Sequence, residues 1–294
     1  MDEFADDFAF LSGDIVYDVL QFAHFERLMT NSPNMKPFGG RWGEIAEKFC
    51  NFKLVDNEIV ESRLDGRSEP FTAATKNRKD VAINRICLRE IKEFNEIEHL
   101  AANAYESLEV YCKVIPEEFL ENLGNRLTSI IWRNANKEQT NEEIDFLKRQ
   151  LKSSHLRILD CNSPVLARPE FTDLIIDFVT KKNFETLKVT SSSRKGISER
   201  VFLAAYAAWL QRRDCEHLRS WISAWISTED LHKLTARIPN FSWKKRISRW
   251  GTKWSYIEKH PIADHYEMRL SYDDYRIATS VKYLRMSLFR LDSR

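Results

Sequence analysis

Short apolar strings alternate with amphipathic segments from residue 80 onward. Five strings alternate apolar and polar residues as half-buried strands do, and they begin at Leu108, Ile130, Leu156, Leu187 and Leu218. The segments between them carry the apolar stripe of packed helices, and three open with residues that favour a helix start; they span 116–127, 141–154, 168–183 and 198–214. The pattern predicts β-strands and α-helices in alternation.

The strings begin 22, 26, 31 and 31 residues apart. A strand–helix unit of this length cannot bury both of its apolar faces by itself, whereas stacking on neighbouring units buries them. We therefore predict an α/β fold in which residues 80–240 form an irregular strand–helix array, similar to a leucine-rich-repeat solenoid. A compact α/β domain whose units happen to be similar in length is the alternative.

The two ends of the chain show different patterns. Residues 1–55 predict a small helical module, with apolar ridges within 11–28 and a further helix over 41–55. Residues 56–79 are polar and predict a linker or an exposed hairpin. Residues 241–294 contain alternating strings and predict a β-rich C-terminal cap on the open end of the array.

Charge is distributed unevenly, although the net charge is only +1. Residues 1–27 carry seven acidic side chains against one basic, and residues 241–294 carry 12 basic against 6 acidic. This asymmetry bears on the choice of partners rather than on the fold.

Cysteine usage and hydropathy predict the compartment. Five scattered cysteines with no Cys-x-x-Cys pair indicate free, mostly buried thiols and a reducing environment. The chain has no apolar run of about 18 residues, so we expect no membrane span. Its acidic N-terminus differs from signal and transit peptides. We expect a cytoplasmic or nuclear protein.

Little in the sequence predicts catalysis. It contains no glycine-rich phosphate loop, and its paired acids fall in the first turns of predicted helices, where they offset the helix dipole. Short clusters around His260 and Cys215 lack the third and fourth ligands that a metal site needs. We therefore predict no enzyme activity, no cofactor and no metal.

A basic, tryptophan-containing stretch spans residues 243–254. Its cations are a candidate binding site for nucleic acid or an acidic partner: Lys244, Lys245, Arg246, Arg249 and Lys253. The seven- and four-residue spacing of Trp243, Trp250 and Trp254 instead fits one face of a packed helix. We favour an acidic protein partner over nucleic acid.

The N-terminal stretch LSGDIVYDVLQFAHFERL, followed by RWGEIA, resembles the F-box. Leu11 and Asp14 take the opening positions of the motif, and Arg41, Trp42 and Glu44 close it. Ser12 stands where the pattern has proline, and the interval from Leu28 to Trp42 is longer than usual. With the repeat-like array behind it, the chain is similar to the divergent F-box families of nematodes with a leucine-rich-repeat-like C-terminal region.

The resemblance implies a non-catalytic substrate-recognition subunit of an SCF-type ubiquitin ligase. It implies docking on a Skp-type adaptor, and through it a cullin, by the apolar residues Leu11, Ile15, Val16, Val19, Leu20, Phe25, Leu28, Trp42 and Ile45. It also implies that the array binds a protein substrate. Two alternatives remain: the N-terminal helices pack on the chain's own array, or the chain sequesters a partner without recruiting a ligase.

Overall fold

A computed structural model describes residues 52–55, 58–62, 68–70, 83–88, 104–112, 115, 117–133, 139–190, 196–212, 219–248, 251–263, 266–274 and 281–290. The residues assigned to adaptor docking, from Leu11 to Ile45, lie outside these ranges, as do Arg249 and Trp250.

The described strands form one sheet of 13 strands. They are β1 Phe52–Val55, β2 Glu58–Ser62, β3 Ser68–Pro70, β4 Ile83–Leu88, β5 Ala104–Val110, β6 Ser129–Trp132, β7 Ile158–Cys161, β8 Thr186–Val189, β9 Arg219–Ser227, β10 Lys244–Ser248, β11 Gly251–Lys259, β12 Tyr266–Asp274 and β13 Val281–Arg290. Their order across the sheet is β10-β11-β12-β13-β9-β8-β7-β6-β5-β4-β1-β2-β3.

The middle of the sheet is parallel and its two ends are antiparallel. Strands β4 to β9 follow one another in chain order with parallel pairing, and β1 adds a further parallel strand beside β4. At one end β2 and β3 pair antiparallel, and at the other β13, β12, β11 and β10 follow β9 in antiparallel order. The sheet is thus a parallel array that continues into a four-stranded meander.

Four described helices connect the parallel strands, a fifth follows β9, and all five form one layer. They are α1 Glu117–Asn122, α2 Asn141–Lys152, α3 Pro169–Thr180, α4 Glu199–Gln211 and α5 Thr228–Ala236, with a 3₁₀ turn at Pro164–Ala167. From α1 to α5, consecutive helices are in contact. Right-handed crossovers that always step in the same direction along a sheet leave every helix on the same face, which explains the single layer.

Local sequence signals set the helix starts. Thr140 and Glu143 form a reciprocal capping box at the start of α2, with N–H···O distances of 3.3 and 3.1 Å. Gly196 lets the chain before α4 lie against β9, because a Cβ there would come within 2.9 Å of the Trp225 carbonyl oxygen. Neighbouring Ile197 donates its N–H to that same oxygen.

The core lies between the sheet and the helix layer. One residue of each strand from β5 to β9 shares a row that faces the helices: Leu108, Ile130, Leu159, Leu187 and Ile222. All of them are buried, and the helices cover them with large side chains such as Phe146, Ile175 and Phe202. The period-two alternation in the sequence therefore reflects a sheet with one buried face.

The structure confirms a mixed α/β fold and most of the elements predicted for residues 80–240. The five apolar strings are strands β5 to β9, and the four amphipathic segments contain helices α1 to α4. Helix α5, which follows β9 directly, was not predicted.

Two local predictions are wrong, and a third is decided between its alternatives. The stretch 243–254, interpreted as one helix face, forms a hairpin of β10 and β11, because apolar residues spaced by four satisfy a period of two as well. For residues 56–79, where we predict a linker or an exposed hairpin, β2 and β3 form an antiparallel pair, which agrees with the hairpin. The helix predicted over 41–55 cannot include its last four residues, because Phe52–Val55 forms strand β1.

Candidate functional site

The face of the sheet opposite the helices, here called the helix-free face, carries mostly polar side chains. One row on it runs in register from β5 to β11 through Ser107, Ser129, Ile158, Thr186, Trp221, Ser287, Arg269 and Ile257. Strand alternation places it there, since its members flank the buried positions of the core. Two of these residues are large, apolar and nearly half exposed: Trp221 at 49% and Ile257 at 44%.

A groove of about 640 Å³ lies on the antiparallel part of this face, over strands β9 to β13. Its floor includes Ser255, Ser271 and Ser287, on three adjacent strands. Their small side chains leave room between Trp221 and Ile257, which stand three strands apart in one row. At about 4.8 Å per strand this separation is about 14 Å.

Four cations line the groove, one from each strand of the meander: Arg246, Lys253, Arg269 and Arg285. Among the described side chains that line it, none is acidic. Arg269 donates to a Glu267 oxygen at 3.0 Å and lies 4.7 Å from the centre of the Phe289 ring. In the described part of the chain, the other three have no carboxylate within ion-pair distance.

Two of these cations face each other directly. Arg246 and Lys253 are register partners across β10 and β11, and both are exposed. Like charges in directly opposed positions of an antiparallel pair destabilise the pairing. Asp273 of β12 is the register partner of Lys253 on its other side and offsets part of this cost. A bound anion beside Arg246 would relieve the rest.

The parallel part of the helix-free face is built differently, around a compact ion-pair cluster. Asp160 on β7 accepts a hydrogen bond from Arg133 at 2.6 Å and one from Lys188 at 3.2 Å. All three side chains are at least half buried. Tyr283 lies close by, and burial raises the pKa of its phenol. Both hydrogen bonds end on Asp160 Oδ2, and they link three strands through one carboxylate. Its buried Oδ1 has no hydrogen-bond partner among the described residues.

Trp243 and Trp254 lie on the opposite side of the hairpin from the groove. Trp254 stacks with Tyr272 at 6.2 Å between ring centres, and Trp243 packs edge-on against Tyr272 at 5.0 Å. Lys245 lies with them, 5.5 Å from the centre of the Trp254 ring. Because successive side chains of a strand alternate in direction, the hairpin separates its groove cations from these indoles.

His260 is a structural residue of the helix side. It is buried, its Nε2 lies 3.0 Å from the Trp209 carbonyl oxygen, and its Nδ1 accepts from the N–H groups of Ile262 and Ala263. The neutral tautomer with a proton on Nε2 satisfies all three contacts. Asp264 and His265 lie outside the described residues, among which no group of three potential metal ligands occurs.

A carboxylate with two phenol donors lies near His260. Glu258 on β11 accepts from Tyr206 of α4 at 2.9 Å and from Tyr256 at 3.1 Å. Burial, together with the Glu258 charge, raises the pKa of Tyr256 to about 12, and it raises the pKa of Tyr206 as well. This network ties the meander to the helix layer.

The sequence-predicted cations are therefore divided between surfaces. Arg246 and Lys253 line the groove, Lys244 is exposed beside it opposite Ser255, and Lys245 lies on the helix side. Sequence reasoning did not find the other groove residues, namely Trp221, Ile257, Arg269, Arg285 and the three serines. The available signal was the alternation of polar residues within β9, β12 and β13.

Comparison with protein-family models, curated proteins and solved structures finds no match for this chain. The class that the described fold defines is that of a mixed α/β protein with a parallel strand–helix array and an antiparallel C-terminal meander. Among the described helices, none has the length and apolar character needed to cross a membrane.

Proposed function

We propose that the chain is a non-catalytic substrate-recognition subunit of an SCF-type ubiquitin ligase. In this proposal residues 11–45 form an F-box that docks on a Skp-type adaptor, and the leucine-rich-repeat-like array, with the meander that continues its sheet, binds the substrate. The observation that supports substrate binding is the groove on the helix-free face, where the array meets the meander. It combines two exposed apolar walls with three cations that form no ion pair among the described residues.

Physical reasoning supports this division of labour. A helical motif of about 40 residues is too small to bury its apolar ridge within itself, so it needs a second surface to cover that ridge. A groove lined with an indole, arginines and hydroxyls has the composition of a protein-recognition surface, because aromatic and arginine side chains are enriched among the residues that dominate binding energy at interfaces. Substrate binding and adaptor docking then use opposite ends of the sequence, in the cytoplasm or nucleus.

Co-purification with a Skp-type adaptor tests the adaptor half. We expect the wild-type chain to retain the adaptor, and Leu28→Asp and Trp42→Ala to lose it by at least about tenfold, because each removes a buried apolar anchor. Leu28→Met, which preserves the apolar volume, is the matched control and should bind. Failure of the wild type to bind the adaptor would overturn the ligase proposal.

The thermal stability of the same variants distinguishes docking from self-packing. If residues 11–45 dock on an adaptor, Leu28→Asp should leave the unfolding temperature of the isolated chain nearly unchanged. A fall of several degrees would indicate that these side chains pack on the chain's own array.

A further inference from the structure

The cations of the groove indicate the charge of its ligand. Arg246 and Lys253 are directly opposed and exposed, and Arg285 on β13 also has no acidic partner in the described part of the chain. Three cations that form no ion pair within the described part of the chain line one groove, and this excess of positive charge favours an anionic ligand.

The floor supplies hydrogen-bond donors that are not used within the described structure. The hydroxyls of Ser255, Ser271 and Ser287 make no hydrogen bond to another described residue. Ser255 and Ser271 are register partners, so their hydroxyls lie side by side on adjacent strands. Hydroxyls can donate to carboxylate oxygens or to peptide carbonyls, and their small size leaves depth for a ligand side chain.

The apolar walls of the groove, Trp221 and Ile257, favour a ligand that also carries a large apolar side chain. Trp221 and Ile257 are each more than 40% exposed, so apolar area is available on both walls. A leucine or phenylalanine side chain resting on either wall would bury apolar area of both partners. A single-stranded nucleic acid would stack successive bases on aromatic rings beside the cations. In the groove Trp221 offers such a ring, but the Arg269 guanidinium lies over Phe289, and Trp243 and Trp254 are on the other side of the hairpin.

We infer that the groove binds an extended acidic segment of a protein, with carboxylates on Arg246, Lys253 and Arg285 and a large apolar side chain against Trp221 or Ile257. The span of about 14 Å between the walls corresponds to about four or five residues of extended chain. The inference deepens the proposed function, because it names the chemistry of the segment that the substrate would present, and it rests on that proposal for calling the ligand a substrate.

Fluorescence anisotropy of a labelled peptide, Glu-Glu-Phe-Glu-Glu-Leu-Glu-Glu, titrated with the full-length chain tests this inference. We expect saturable binding that weakens as salt rises, and binding weaker by about tenfold or more when every Glu of the peptide is replaced by Gln. Replacing Phe and Leu of the peptide by Ser should weaken binding by a similar factor, because the apolar contact is lost.

Variants of the chain locate the site. The double variant Arg246→Gln, Lys253→Gln should lose about tenfold in affinity, and Trp221→Ala at least about fivefold. Lys245→Gln is the matched control, since Lys245 is an exposed cation of the same strand that faces the other side. It should bind as the wild type does. Equal loss in control and double variant would overturn the assignment, because it would show that net charge alone governs binding.

Two further outcomes would overturn the inference. A labelled single-stranded RNA that binds more tightly than the peptide, and that loses affinity in the double variant, would assign the groove to nucleic acid. Substitution of Asp2, Glu3, Asp6 and Asp7 by their amides tests the chain's own acidic segment; a gain of peptide affinity in that variant would identify this segment as the occupant. Neither result depends on the adaptor, so this test and the ligase test fail independently.

Discussion

Two regions of the same sheet face use their charges in opposite ways. On the parallel part, Arg133, Asp160 and Lys188 neutralise one another across three strands. On the antiparallel meander, Arg246 and Lys253 are set against each other, with no carboxylate between them in the described residues. The comparison teaches that the first region uses charge to hold strands together, whereas the second keeps charge available to a ligand at some cost in stability.

The largest expected effect comes from disrupting the ion-pair cluster around Asp160. Asp160→Ala removes the common acceptor of Arg133 and Lys188 and leaves two partly buried cations beside each other. We expect a loss of about 2–3 kcal/mol in the free energy of unfolding, measured by urea denaturation. Arg285→Ala, on the same face of the meander, is the control and should change it by less than about 0.5 kcal/mol. Similar losses for both variants would contradict the distinction between the two regions.

An intermediate effect is expected for the hydrogen bond between Tyr256 and Glu258, on the side of the meander that faces the helices. Tyr256→Phe removes the hydrogen bond to Glu258 and should lower the free energy of unfolding by about 1 kcal/mol at neutral pH. Ser255→Ala changes the neighbouring residue of the same strand on the groove side and should have little effect. If both variants cost the same, the helix side would not be the side that secures the meander.

The same phenol gives a pH dependence. The folded pKa of Tyr256 is raised to about 12, above its ordinary value of 10.0, so its contribution to stability is fully present below pH 10. That contribution is lost as the pH rises from about 10 toward 12, because the unfolded state releases the proton first. We expect the wild type to lose stability over this interval more steeply than Tyr256→Phe, measured by urea denaturation at fixed pH values. Parallel curves would contradict the role of this phenol.

The smallest expected effect concerns Arg246 and Lys253, the opposed cations of the meander. Arg246→Glu places a carboxylate opposite Lys253 and should stabilise the chain by about 0.5 kcal/mol, because a like-charge pair becomes an opposite-charge pair. The same substitution should abolish binding of the acidic peptide. Arg246→Gln should give an intermediate stability. A variant that is destabilised while peptide binding persists would show that the charges in the groove have no relation to a ligand.

The elements of the array were predictable because each one is encoded locally. The apolar alternation around Leu159 and Leu187, and the capping residues near Thr140, act within a few residues of the chain. The hairpin of β10 and β11 was not predicted, because the four-residue spacing of Trp250 and Trp254 satisfies helical and extended periods alike.

The groove was only partly predictable, for a different physical reason. Its residues come from five strands, and only the register across them brings Trp221, Arg269 and Ile257 into one row. A basic stretch in the sequence identified Arg246 and Lys253, but strand alternation assigned Lys245 to the other side. Whether residues 11–45 dock on an adaptor stays a prediction, since they lie outside the described part of the chain.

The environment of the Trp221 indole tests the central claim most directly. In a chain labelled with 5-fluorotryptophan, the ¹⁹F resonance assigned to Trp221 through Trp221→Phe should shift when the acidic peptide is added. The resonances of buried Trp132 and Trp209 should stay in place. The shift should disappear in the Arg246→Gln, Lys253→Gln double variant. An unchanged Trp221 resonance at saturating peptide, or an equal shift of the buried tryptophans, would contradict the assignment of the groove as the binding surface.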